Sequence, residues 1–208
     1  MREPERGGIF DSMATELWVV RHGETAWSRE RRHTGLTDVP LTDEGRGQAA
    51  ALRPWLTGHV FERVLTSPLG RARETCALAG CEPRAEVDDE LREWDYGDYE
   101  GTTTAQIRER HPGWVIWRSD PPGGERLAQV AARCDHVLAR LAAVQGDVLL
   151  FAHAHVLRVL TARWLGLEPA AARLFALEAG HLAVLGYEHD GAVMLRWNVA
   201  GERPMDSP

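Results

Sequence analysis

Leu17-Trp18-Val19-Val20-Arg21-His22-Gly23-Glu24-Thr25 is the stretch on which the fold turns, because an apolar run of strand character ends there in a cation, an imidazole and a glycine. In an open α/β sheet, ligands bind outside the carboxyl ends of the parallel strands, where the chain leaves the sheet for a helix. The imidazole of His22 is expected at such a point. Gly23 permits close approach of the backbone to a ligand, Arg21 offers a planar fork suited to phosphate oxygens, and a neutral imidazole is a competent nucleophile toward phosphorus. Taken alone, Arg-His-Gly is equally a loop histidine held by one hydrogen bond.

A second stretch repeats the arrangement. Residues 147–151 form a continuous apolar strand, as expected for a sheet covered on both faces, and run into Ala152-His153-Ala154-His155. His22 and His153 thus each follow a buried-type strand that feeds a helix, and in a parallel sheet such positions meet at one edge. Between them, Val64-Leu65-Thr66-Ser67 reads as a short strand stopped at Pro68, with Arg71 in the first turn of the helix that follows. Arg21 and Arg71 together make a cationic pocket. Phosphoryl transfer needs one, since the transferred group spreads negative charge over its equatorial oxygens and catalysis is mostly positioning and electrostatics. A leaving alkoxide also needs a proton, which Glu93, beside Trp94 in a glycine-flanked loop, can supply if its pKa is raised.

Outward from these points the chain alternates strand and helix. Residues 16–20 give the first strand, residues 27–32 a polar loop or short helix, and Thr34-Gly35-Leu36-Thr37-Asp38 a turn returning over the site. Thr42 is an N-cap followed by Asp43 and Glu44, opening a helix to about Leu56. Gly45 and Gly47 weaken it. Residues 87–91 form a short strand, residues 92–101 an acidic functional loop, and residues 104–110 a helix that stops before Pro112. The clearest helix begins at Glu125, with Leu127, Val130, Ala131, Cys134, Val137, Leu138 and Leu141 on one face. Residues 156–165 are helical. Two last strands, 182–187 and 193–197, flank the hairpin turn His189-Asp190-Gly191, which sets the final strand antiparallel at an edge. The fold class is α/β, a three-layer α/β/α sandwich around a mostly parallel sheet. Residues 1–12 read as a flexible extension, 13–200 as one domain and 201–208 as a short tail.

Composition bounds the partners. With 208 residues, 44% of them apolar and 26% charged, the chain can build one substantial core. A net charge of −7 supplies no basic field for nucleic acid or an anionic membrane, so any anion must meet a local cationic pocket. Three cysteines without a Cys-x-x-Cys pattern suit reduced thiols in the cytoplasm. No run approaches a membrane span and no signal-peptide core precedes Met13. The sequence leaves the oligomeric state open, a homodimer included.

Arg21-His22-Gly23-Glu24-Thr25, Ser67-Pro68-Leu69-Gly70-Arg71-Ala72, Leu91-Arg92-Glu93 and Phe151-Ala152-His153, in this order, resemble the histidine phosphatase superfamily, the phosphoglycerate mutase-like family. The likeness covers about residues 16–198. It implies a phosphoglycerate mutase-like fold, His22 as a phosphorylated nucleophile, Arg21, Arg71 and His153 as the phosphate pocket, and Glu93 as proton donor. It also implies substrate contacts from Ser28, Thr34, Gly35, Tyr96 and Ala154. Ala154 stands where the family usually has glycine, and His33 where an aromatic residue is common. Residues 34–38, 92–101 and 114–117 look most like the branch that includes sedoheptulose-bisphosphatase.

The other histidines, His33, His59, His111, His136, His155, His181 and His189, are expected at the surface or in caps, with only His33 near the site. His153 and His155 do not suggest a metal pair, since no third ligand is spaced to help. Trp94, Trp114 and Trp117 are candidates for the cover of the pocket, and the acidic residues Asp95, Asp98 and Glu100 for keeping Glu93 protonated. The expected activity is metal- and cofactor-independent hydrolysis of small phosphorylated metabolites, sugar phosphates first, through a phosphohistidine. A phosphoglycerate mutase and a non-catalytic phospholigand-binding protein are the alternatives. Only 59 residues separate Glu93 from His153, which leaves little for the closing cover that a mutase requires.

Overall fold

The computed structural model describes residues 16–201. The expected extension over residues 1–12 and the tail beyond residue 201 lie outside the described residues.

Alternation along the strands builds the layers. In β1 (Leu17–Arg21), Leu17 and Val19 enter one apolar cluster while Trp18 and Val20 enter another. In β4 (Asp147–Ala152), Val148, Leu150 and Ala152 join the first cluster, and Leu149 and Phe151 the second. A strand whose two faces are both apolar must be covered twice. The first cluster is closed by α6 (Leu127–Leu141) and α7 (Ala154–Trp164). The second is closed by α3 (Arg53–Leu56) and α4 (Gly70–Leu78). This is the expected three-layer sandwich.

The six-stranded sheet runs in the order β3, β2, β4, β1, β5, β6, where β2 is Phe61–Thr66, β3 is Ala85–Val87, β5 is Leu182–Glu188 and β6 is Gly191–Val199. The first four strands are mutually parallel. β6 lies at the edge, antiparallel to β5 as the hairpin requires, and β5 is itself antiparallel to β1. Thus β5 is the strand that runs against the sheet. His189 takes a φ of 54° in that hairpin.

Of the remaining helices, α1 is Ala26–Arg29, α2 is Asp43–Ala51 and α5 is Thr104–Arg110. Several boundaries differ from the sequence reading. The expected strand over 87–91 is displaced to β3, because Asp88 accepts from the Glu90 amide and starts a 3₁₀ turn, Asp89–Leu91. The helix opened by Thr42 ends at Ala51, since Pro54 cannot continue its hydrogen-bond ladder, and the chain restarts as α3. α6 begins at Leu127, because Glu125 is held instead by Arg133 at 2.8 Å. Among the described residues no helix is long and apolar enough to cross a membrane.

Candidate active site

Register places the two histidines side by side. β1 pairs with β4 so that Arg21 lies opposite Ala152, and the next residues outward are His22 and His153. The His22 amide donates to the Ala152 carbonyl at 3.0 Å, and the imidazole centroids stand 5.1 Å apart. Both side chains are buried.

The turn after β1 is shaped by packing rather than by a ligand. A Cβ on Gly23 would lie 2.2 Å from the Gly45 carbonyl oxygen, and one on Gly45 would lie 2.1 Å from that of Glu24. The glycine expected to admit a ligand instead admits the first turn of α2, and Gly45, expected to weaken that helix, completes the contact. The Gly23 amide donates to Thr75 Oγ1 at 3.1 Å, which fixes the turn to α4.

The His22 ring is poised as a nucleophile. Its Nδ1 stands 2.7 Å from the Gly23 carbonyl, which can only accept, so Nδ1 carries the proton and Nε2 keeps its lone pair. Burial first, then the charges of Arg71 and Arg21, hold its pKa well below the usual histidine value, so the ring is neutral near pH 7. His153 is depressed in the same way, by burial and then Arg71. His153 Nε2 pairs with Ser67 Oγ at 2.7 Å, which spends that nitrogen inside the protein.

Three buried polar atoms around this pair have no partner among the described residues: Nε of Arg21, Nε of Arg71 and Nδ1 of His153. Such atoms are costly and call for a reason. The rest of each side chain is anchored. Arg21 Nη1 donates to the Leu177 carbonyl at 2.6 Å. Arg71, fully buried, donates from Nη1 to Thr37 O at 2.8 Å and from Nη2 to Thr34 O at 3.2 Å and Gly35 O at 2.8 Å. The guanidiniums are thus oriented by carbonyls, with donors left over beside two neutral imidazoles.

Glu93 is buried and gripped at the N-terminus of α7. Oε1 accepts from the amides of Trp94 at 3.0 Å and Val156 at 2.9 Å, and Oε2 from the His155 amide at 3.0 Å. One lone pair on Oε2 remains for a proton. Of the acidic residues expected to act on it, Asp95 accepts from the Gly97 amide and Glu100 from the amides of Gly35 and Thr37, so both shape loops.

A cleft of about 550 Å³ opens over His22 and Glu93. Ser28, Thr34, Tyr96 and Ala154 line it as expected, and so does His33. Gly35 does not line it. It is buried against the Trp94 carbonyl, where a Cβ would sit 2.6 Å away, so its part is to seat the returning turn on the 92–101 loop. Trp114 and Trp117 form a wall of the cleft, whereas Trp94 is completely buried and donates to the Glu125 carbonyl at 2.7 Å, underneath the site and not over it.

His155 corrects the expectation of a surface or cap role. It lines the cleft, pairs through Nδ1 with the Tyr96 hydroxyl at 2.7 Å and packs on Trp117. Burial and then Arg158 keep it neutral near pH 7. Arg31, Arg108 and Arg158 also reach the cleft and were not singled out from sequence. Arg158 lies three residues past His155, a spacing that shares a helix face.

Residues 17–200 match the model of the histidine phosphatase superfamily (branch 1). The chain is 43% identical over 178 residues to an acid phosphatase of Mycobacterium tuberculosis, covering 83% of this chain and 87% of that one. It is 36% identical over 188 residues to the sedoheptulose 1,7-bisphosphatase of Saccharomyces cerevisiae, covering 75% of this chain and 69% of that one. A solved structure of an open reading frame product from Mycobacterium tuberculosis superposes with a TM-score of 0.86 at 39% identity, over 90% of this chain and 98% of the other.

Proposed function

The chain belongs to the histidine phosphatase superfamily, branch 1, and on that premise we propose that it hydrolyses small phosphate monoesters, sugar phosphates first, through a phosphohistidine on His22. The observation that carries the reading is the set of unpaired buried donors on Arg21 and Arg71, with His153 Nδ1, around an imidazole whose Nε2 lone pair is free. A phosphoryl group supplies the acceptor oxygens that such donors lack.

In the first step His22 Nε2 attacks phosphorus in line, the N–P bond forms, and the P–O bond to the leaving group breaks. A proton passes from Oε2 of Glu93 to the leaving oxygen. In the second, Glu93 takes a proton from water as its oxygen attacks phosphorus, the P–N bond breaks, and inorganic phosphate leaves with His22 neutral again. Arg21 and Arg71 hold the equatorial oxygens throughout.

Hydrolysis rather than transfer to a second hydroxyl is supported by the use of the chain between Glu93 and His153. α6 is spent against the sheet, while α5 and the tryptophans contribute to one wall of the cleft. Little length remains to exclude water from a phosphohistidine. Incubation with 3-phosphoglycerate and a trace of 2,3-bisphosphoglycerate, with separate assays of 2-phosphoglycerate and free phosphate, tests this. Phosphate release without isomerisation is expected, and isomerisation outpacing release overturns it.

A further inference from the structure

Glu93 lies in a stretch with no helix or strand to hold it. From Glu93 to Tyr96 the backbone is irregular, and the α7 amides of His155 and Val156 grip only the carboxylate. The backbone groups on either side need partners from elsewhere. They find them in one ion pair.

Arg133 projects from α6 and meets Glu125 side-on, Nε to Oε1 at 2.8 Å and Nη2 to Oε2 at 2.9 Å. Bidentate pairing of this kind fixes the planes of both groups. The Arg133 side chain is 12% exposed, whereas that of Arg140, paired from the same helix, is 48% exposed. Burial alone would raise the Glu125 carboxyl, but Arg133 outweighs it and holds the pKa below the usual carboxylate value, so the pair is ionised near pH 7.

The remaining bonds of these two residues go to the segment that carries Glu93. Before it in the chain, Arg133 Nη1 donates to the Glu90 carbonyl at 2.6 Å and the Arg92 carbonyl at 3.2 Å. After it, Glu125 Oε2 accepts from the Asp95 amide at 3.1 Å, and the Glu125 amide donates to the Asp95 carbonyl at 2.9 Å. The Glu125 carbonyl accepts from Trp94 Nε1 at 2.7 Å. Glu93 is thus bracketed from beneath, and neither Glu125 nor Arg133 lines the cleft.

We propose that Glu125 and Arg133 are positioning residues for the proton transfer, acting through the 90–95 backbone to set where the Glu93 carboxyl stands against the leaving oxygen. The inference rests on the reading of Glu93 as proton donor. A donor must come within about 2.6–3.2 Å of the oxygen it protonates, and a misplacement of about 1 Å costs on the order of 100-fold in rate. A staple that only stabilised the fold would leave no trace in leaving-group preference.

Arg133→Met is compared with wild type, Glu93→Gln and the double variant on two esters. In a hexose 6-phosphate the alkoxide leaves poorly without a proton, and in para-nitrophenyl phosphate the phenolate needs none. The ratio of the two rates does not depend on the fraction of protein that is folded. Arg133→Met is expected to lower kcat on the sugar phosphate about 10–100-fold and on the aryl ester less than about threefold, with KM nearly unchanged. In the Glu93→Gln background the same substitution is expected to move the ratio no further, since the group it positions is gone. Arg133→Lys, which keeps the charge without the fork, is expected to lose nearly as much as Arg133→Met, and Glu125→Ala to move the ratio in the same direction. Equal loss on both esters, a full effect persisting in the Glu93→Gln background, full recovery by lysine, or a ratio unmoved by Glu125→Ala overturns the proposal and leaves Glu93 as the donor. Equal losses on both esters in Glu93→Gln itself would remove the donor, and the proposal with it.

Discussion

Replacing Arg71 with methionine separates the part this residue plays in binding from the part it plays in the fold. Its guanidinium is fully buried and holds three carbonyls, of Thr34, Gly35 and Thr37, tying the returning turn to α4. The Asp38 carboxylate is 3.8 Å away and half exposed, so that ion pair adds little. Hydrogen bonds to a charged group contribute about 1.5–3 kcal/mol each, and three on one side chain are not additive. Methionine fills the space but leaves the carbonyls unpaired, and a loss of roughly 3–5 kcal/mol is expected, of a total of about 5–15. For a chain of this size each kcal/mol moves the melting midpoint by about 2–4 °C, so Tm is expected to fall by roughly 6–20 °C. Differential scanning calorimetry in the presence and absence of inorganic phosphate is the assay. Wild type gains about 2.7 kcal/mol at a phosphate concentration 100 times Kd, and the variant is expected to gain almost none. A midpoint within about 2 °C of wild type, or an undiminished gain from phosphate, would refute the assignment of both roles to Arg71.

Burial lowers the pKa of His33 from 6.5 to about 4. The unfolded chain therefore binds more protons below pH 6.5, and stability present above that pH is lost as pH falls toward 4. The loss amounts to about 2 kcal/mol between pH 7 and pH 5; urea unfolding of wild type and His33→Gln at both pH values checks it, and equal pH dependence argues against it. With His22 held well below its usual value, the acid limb of kcat/KM is expected well below pH 6.5; a limb at 6.5 in a full pH profile would show an ordinary imidazole. Glu93→Gln is expected to slow alkyl phosphates by about 10²–10⁴ and para-nitrophenyl phosphate far less, because only the former need a proton on the leaving oxygen; equal losses on both in steady-state assays would remove Glu93 from that role. Gly23→Ala places a Cβ 2.2 Å from the Gly45 carbonyl and is expected to cost about 2–4 kcal/mol in denaturant unfolding; a change below about 0.5 kcal/mol would mean that α2 gives way.

The meeting of His22 and His153 was legible because each ends an apolar run that only a doubly covered parallel strand explains, and β1 and β4 are neighbours in the sheet. Arg71 was legible from the proline that stops β2 and sets the helix. Longer-range facts were not. The direction of β5 depends on pairing with β1 across the chain, and no local pattern encodes it. The conformation of Gly23 looked like ligand chemistry because nothing in its neighbours reveals that Gly45 lands on it. His155 is expected from sequence at the surface or in a cap, as most histidines outside a motif are. α7 begins at Ala154 and turns it into the cleft, where Tyr96 meets it. Trp94 was assigned to the cover because tryptophans near a site serve equally as floor or lid, and only the Glu125 carbonyl decides for the floor.

In the proposed reaction the phosphoryl group passes through the Nε2 atom of His22. Mixing the protein with a phosphorylated sugar, quenching within milliseconds under alkaline conditions and mapping phosphopeptides by mass spectrometry measures it directly. One acid-labile phosphoryl group on His22, absent in His22→Ala and accumulating in Glu93→Gln when an activated ester is supplied, is the expected result. Label on any other residue, or full turnover by His22→Ala, would contradict the account.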